Sequence, residues 1–271
     1  MFSIIKSGME TAMHELAVIS NNISNANSNG FKKSLSSFSD FAAGLMPDAV
    51  KSTSSGLGSH VDQNRMSDAQ GAVVLTENVT DMALIGNGFF AIQNASDNSV
   101  SYTRNGSFTV DGDGFLTTGD NYYVLGSPVV DNQFSLVDGG LGVLQPIQIP
   151  MTSENAIMSE LAISNDGKIS ARYGDREELV PISSLALGVF SNPVGLKQQG
   201  FARFSATEKS GVLTFGAPLD AGFAELKIGG LEKSNVDITD ELTAMIKAQQ
   251  QFNGSARLMQ ANSDMVEKFT Q

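Results

Sequence analysis

Both ends of this 271-residue chain repeat apolar residues at alternating three- and four-residue steps. At the N-terminal end the series is Phe2, Ile5, Met9, Ala12, Leu16, Ile19, Ile23 and Ala26, with mostly small polar residues between. That spacing is the seam of a coiled coil, kept for more than three heptads. A helix resting on the core of its own domain would carry a wider, less regular stripe. At the C-terminal end Ile238, Leu242, Met245, Phe252, Ala256, Met259 and Val266 keep the same register, with Gln249 and Ser263 as polar interruptions. The stretch "SNVDITDEL" predicts where this second helix starts. Asp237 can accept bonds from the free first-turn amides, and Asp240 and Glu241 suit the positive end of the dipole. Narrow seams need partners, so the two end segments, 1–34 and 234–271, are expected to pair as a coiled coil.

The ends are nearly neutral, about +1 for residues 1–34 and about −2 for 235–271, so the net charge of −12 falls almost wholly on the middle. Residues 35–70 include serine-rich text such as "KSTSSGLGSH" and show little periodicity, which reads as an extended connector. From 71 to 233 the text turns to short apolar or alternating runs broken by Gly, Asn, Asp and Pro, such as "FFAIQN", "SYTRNGSFTV" and "ELAISNDGKISARYG". Asn105-Gly106, Asp113-Gly114 and Asp166-Gly167 are hairpin turn signals. The fold class expected is therefore α+β: terminal heptad helices and a mainly β central domain.

Composition narrows the chemistry. With 41% hydrophobic and 17% charged residues the chain can bury a core. An acidic chain is a poor ligand for nucleic acid phosphates. Without cysteine there are no disulfides, thiolate zinc sites or cysteine nucleophiles. The N-terminal "MFSIIKSGMETAMHEL" has no basic leading segment, so no cleaved secretory signal is expected. No apolar run approaches the roughly 20 residues that cross a bilayer, so no membrane insertion is expected.

The catalytic and cofactor patterns each fail on a named residue. His14-Glu15 opens like a helical zinc-protease motif, but the second ligand position holds Val18, and His60 is the only other histidine. Gly86-Asn87-Gly88 resembles a dinucleotide loop, yet "FFAIQN" follows as a strand, with no helix to present amides. "DGDGFL" starts like a calcium loop, but Phe115 stands where a third oxygen ligand belongs, so a hairpin turn is the better reading. Asn78-Val79-Thr80 matters only in a glycosylated chain. A hydrolase built on the acidic body finds no carboxylate pair that stands out by spacing. No enzyme, metal or cofactor is expected.

Taken together, the ends resemble the axial proteins of the bacterial flagellum, the rod and hook family. "SNNISNANSNGFKKS" (20–34) is similar to that family's N-terminal signature, and "SNVDITDELTAMIKAQQQFNGSARLMQANSDMVEKF" (234–269) to its C-terminal one. Between them, "TENVTDMALIGNGFF", "YTRNGSFTVDGDGFL", "SNPVGLKQQG" and "GLEKSNVD" follow the family's text in its order. Two departures stand out. Gln250-Gln251 replaces the family's usual Arg-Ala, and Gly254 lies inside a helix at a cost of about 1 kcal/mol relative to alanine.

The resemblance implies a structural subunit of a helical tube that transmits torque and encloses an export channel. It implies partners among copies of itself, other axial proteins and the flagellar export apparatus, and export from the cytoplasm without a cleaved signal. Hook subunits of the family carry an extra outer β domain, for which 271 residues leave little room; this favours rod. "NSNGFKKSLSSFSDF" reads like the hook branch. A trimeric coiled-coil fibre or adhesin is the more distant alternative. The apolar seam residues named above, from Ile5 to Ala26 and from Ile238 to Val266, are the expected assembly interface, joined by Asn22. Asn21, Asn22 and Asn25 are expected on flanking faces, bonding to neighbouring subunits or facing a wet channel. Asn29, Gly30 and Phe31 are expected to turn the chain away from the helix.

Overall fold

The computed structural model describes residues 2–40, 58–130, 133–134, 144–153, 156–174 and 178–270. The chain forms two compact units: the first comprises 1–26, 33–67 and 236–271, and the second 27–32 and 68–235.

In the first unit, helix α1 (Phe2–Ser24) and helix α2 (Ile238–Thr270) pack on each other. Gly8 lies beside Ser255 and Asn22 beside Glu241, so the two run antiparallel. The start of α2 is where Asp237 predicts it: its Oδ1 accepts from the amides of Thr239 at 2.8 Å and Asp240 at 3.3 Å. Strands β1 (Ser34–Asp40) and β2 (Ser59–Met66) pair antiparallel, with an irregularity at Ser37/Phe38, and lie against α1. The segment expected as an extended connector thus contributes a strand pair. Its inward positions on β2 include Ser59, Val61 and Gln63, and one apolar residue among three conceals the alternation that announces a strand.

The second unit is an irregular antiparallel β structure. Its main sheet runs in space from Thr152–Ser153 through Ala156–Ile163, Lys168–Tyr173, Val180–Leu185, the long strand Tyr122–Val130, Phe89–Asn94, Val100–Thr103 and Arg203–Ser205 to the edge strand Lys197–Gly200. Inward side chains, among them Leu84, Phe90, Ile92, Leu116, Val124, Ile149, Ile169 and Leu226, are fully buried and form one core. Aromatic rings extend it edge to face, with Phe90 on Phe108 at 5.1 Å and Tyr102 on Phe190 at 4.8 Å. Asp113-Gly114 and Asp166-Gly167 close hairpins as expected, each glycine at positive φ. Asp111 turns its own loop by accepting from the amides of Asp113 and Phe115, as a hairpin does.

Asn105-Gly106 behaves otherwise. The strands on either side of it pair with other partners, and a β-carbon at Gly106 would fall on the carbonyl oxygen of Met82. The glycine is there for close backbone approach, with the Met82 amide bonded to its carbonyl at 3.0 Å.

Burial pushes the Tyr102 phenol up to about 12. An unfolded tyrosine ionises near pH 10, so folding holds the proton more tightly. This contribution to stability is complete below pH 10 and is lost as pH rises toward 12. Burial also raises Tyr173, so ultraviolet difference titration should show a late step to which both tyrosines contribute; a late step of undiminished amplitude in Tyr102→Phe would refute the assignment.

Candidate assembly site

Helix α1 buries two adjacent rows. Ala12 and Ile19 are buried and Ile5, Met9, Leu16, Ile23 and Ala26 half-buried, along the seam read from the sequence. A second row faces the strand pair: Ser7 and Thr11 lie against Gly58–Val61, and His14 shares a 2.8 Å hydrogen bond with Asn64. A helix covered on two sides needs a stripe wider than a coiled-coil seam. Phe2 is exposed.

On α2 the covered row runs through Glu241, Met245, Ala248, Phe252, Ser255, Met259 and Asn262. It shares Met245, Phe252 and Met259 with the expected seam but is displaced by one residue at the alternate positions. The expected register turns Leu242, Gln249 and Ser263 inward; the structure has Glu241, Ala248 and Asn262 there instead, Glu241 accepting from Asn22. Ala256 is half-buried, while Ile238, Leu242 and Val266 remain exposed. With Ile246, Leu258 and Met265, these leave α2 carrying large apolar side chains 46% to 61% exposed. A soluble monomer rarely displays so many on one helix.

Asn22, expected on a flanking face, is 1% exposed and engaged within the chain. Its Nδ2 donates to the Ser34 carbonyl at 2.9 Å and to Glu241 Oε2 at 3.1 Å, and its Oδ1 accepts from the Ser34 amide at 2.9 Å. One side chain thereby ties α1, the start of β1 and the first turn of α2. Asn25 bonds locally to the carbonyl of Asn21.

The turn after α1 belongs to the β unit. Gly30 has φ +68, and its amide donates to the Glu232 carbonyl at 2.8 Å; Phe31 is buried, and Lys233 Nζ donates to Asn29 at 2.9 Å. Directly after the turn comes a buried charge cluster that spacing could not show. Glu232 is fully buried and accepts from Lys32 Nζ at 2.6 Å, Arg104 Nη1 at 3.2 Å and the Gly71 amide at 2.9 Å. Lys32 also donates to the Ala69 carbonyl, and Arg104 to the Gly86 carbonyl while stacking on Phe89. Burial lowers the pKa of both cations, opposed by attraction to Glu232 and Asp68. The three charges come from three separate quoted motifs, "NGFKK", "YTRNG" and "GLEKS".

Among the described residues no three His, Asp or Glu side chains gather as a metal site would require, and no helix is long and apolar enough to cross a membrane.

Three family models match the chain: "Flagella basal body rod protein" at residues 5–32, "Flagellar hook protein FlgE/F/G D1 domain" at 83–171 and "Flagellar basal body rod FlgEFG protein C-terminal" at 228–271. The flagellar basal-body rod protein FlgG of Bacillus subtilis is 32% identical over 97% of this chain and 94% of its own length. The chain belongs to the flagellar rod and hook family. That family is structural, and this chain is a rod-type member of it, not an enzyme. FlgG of Agrobacterium fabrum is 29% identical over 97% of the chain and 95% of its own length. The hook protein FlgE of Salmonella typhimurium is 35% identical over only 38% of the chain and 26% of its own length. Near-complete rod matches beside a partial hook match favour rod. The family matches fall at the terminal helices and through part of the β unit, with Lys32, Arg104 and Glu232 each in a different matched segment, 5–32, 83–171 and 228–271.

Proposed function

We propose that the chain is a structural subunit of the flagellar rod, that α1 and α2 pair as a coiled coil, and that copies join through these helices into a tube. The tube encloses the export channel and carries motor torque. Subunits reach it through the flagellar export apparatus without a cleaved signal. The exposed large apolar side chains of α2, Ile238, Leu242, Ile246, Leu258 and Met265, carry this reading, because each is 46% to 61% exposed in the single chain. Identical surfaces meeting head to tail through a rotation that does not close generate an open helical array. Near-neutral helices also avoid repeating like charges around such a tube.

Introducing Ile246→Asp with Leu258→Asp into the full chain tests it. Both positions are exposed, so the isolated protein should keep its circular dichroism spectrum and melting behaviour. Cells carrying the variant should be non-motile, with the chain missing from purified basal bodies. Normal motility with the variant seated in the rod would sink the proposal.

A further inference from the structure

A glycine that follows asparagine leaves its amide nitrogen unshielded by a β-carbon, and the chain has four such pairs: Asn29-Gly30, Asn87-Gly88, Asn105-Gly106 and Asn253-Gly254. At each, the glycine nitrogen can lose its proton and attack the asparagine Cγ. Folding restrains three of them. Asn29 Oδ1 accepts from Lys233 Nζ at 2.9 Å, and the Gly30 amide donates to the Glu232 carbonyl at 2.8 Å. Asn105 Oδ1 accepts from the Ser107 amide at 3.1 Å, and Gly106 is pressed onto the Met82 backbone. Asn253 lies inside α2, where the Gly254 amide belongs to the helical ladder, so attack requires the helix to open.

Asn87 differs. It turns the chain between strands Met82–Ile85 and Phe89–Asn94, is exposed, and among the described residues its carboxamide makes no hydrogen bond. We propose that Asn87 is a self-modification site, at which the chain converts its own asparagine to aspartate and isoaspartate with loss of ammonia. The Gly88 nitrogen forms a bond to Cγ as ammonia leaves, closing a succinimide ring. Water then opens the ring. Attack at Cγ breaks the new bond and leaves aspartate, whereas attack at the main-chain carbonyl breaks the original peptide bond and leaves isoaspartate. The neighbouring residues are fixed. Gly86 donates its amide to Gln70 Oε1 at 3.0 Å and accepts at its carbonyl from Arg104 Nη2 at 2.7 Å, while Gly88 is buried. Isoaspartate lengthens the main chain between these two glycines, so Gly86 is drawn off its partners and the buried Arg104 loses an acceptor. The inference is independent of the rod reading.

The test incubates the purified full chain at mildly alkaline pH, which supplies the deprotonated nitrogen, and follows each asparagine by peptide mass spectrometry. Asn87 should convert about tenfold faster than Asn29, Asn105 or Asn253, the factor that one hydrogen bond held or released sets on a barrier. In urea, where the restraints are gone, the rates should converge. Faster conversion at any of the other three in the folded chain, or a lead of Asn87 that persists unchanged in urea, would overturn the inference. Asn87→Gln supplies a second arm, because the longer side chain closes its ring far more slowly and an exposed, unbonded side chain is replaced without disturbing the fold. Aged wild-type chain should unfold at a lower urea midpoint than fresh chain, and aged Asn87→Gln should not. Midpoints that fall equally in both, or in neither, would refute the consequence at Gly86.

Discussion

Glu232→Ala should destabilise the β unit by about 3–5 kcal/mol, measured as a lowered urea midpoint at unchanged slope. The carboxylate is fully buried with Lys32 at 2.6 Å and Arg104 at 3.2 Å, so its removal leaves two desolvated cations and the Gly71 amide without their shared acceptor. The loss should change little with salt, because ions do not screen a pair they cannot reach. Replacing all three charges together, as Lys32→Met, Arg104→Met and Glu232→Leu, should recover most of the loss, since apolar packing of similar volume removes the desolvation cost. A Glu232→Ala midpoint equivalent to less than about 1 kcal/mol of destabilisation would contradict this account, because that is the scale of an exposed pair.

Gly30→Ala should act on the same place by a different route. Its β-carbon would fall on the backbone nitrogen of Asn105 and the carbonyl carbon of Arg104, neither of which can swing aside. The left-handed φ of +68 adds roughly 1 kcal/mol. The displaced turn would lose the 2.8 Å bond from the Gly30 amide to Glu232 and draw Lys32 out of the cluster. Strain and cluster are coupled, so combining Gly30→Ala with Glu232→Ala should cost less than the two changes summed. Gly112→Ala, at an ordinary φ with open space around it, is the control. Strict additivity in the double mutant would show that the turn and the ion cluster are independent.

The sequence made the chain's plan visible wherever one periodicity dominated. The three–four spacing located both terminal helices, Asp237 marked the start of α2, and Asp113-Gly114 and Asp166-Gly167 marked hairpins, because each is a local signal. What escaped notice was settled by distant partners. The register on α2 shifted because α1 accepts Ala248 and Glu241 in preference to Gln249, a choice made by the partner helix. Asn22 reads like its neighbouring asparagines, yet it alone faces Ser34 and Glu241. Asn105-Gly106 has the wording of a hairpin turn, but its glycine answers to the Met82 backbone. Lys32, Arg104 and Glu232 lie in three distant stretches, and no spacing rule links them.

The contacts that join Asn22 to Glu241 and Lys32 to Glu232 bridge 219 and 200 residues of chain. Closing loops of that size costs little more than closing shorter ones, since the entropy grows only logarithmically with length. Time is the larger constraint. A chain that emerges from its amino end presents the α1 segment and Lys32 first, yet neither can find its partner until the last forty or so residues follow. The middle can condense around its own core meanwhile, so the order of folding is centre first and extremities last. Until that final step α1 is an amphipathic segment without a mate, free to choose between α2 of its own chain and whatever helix it meets at its destination.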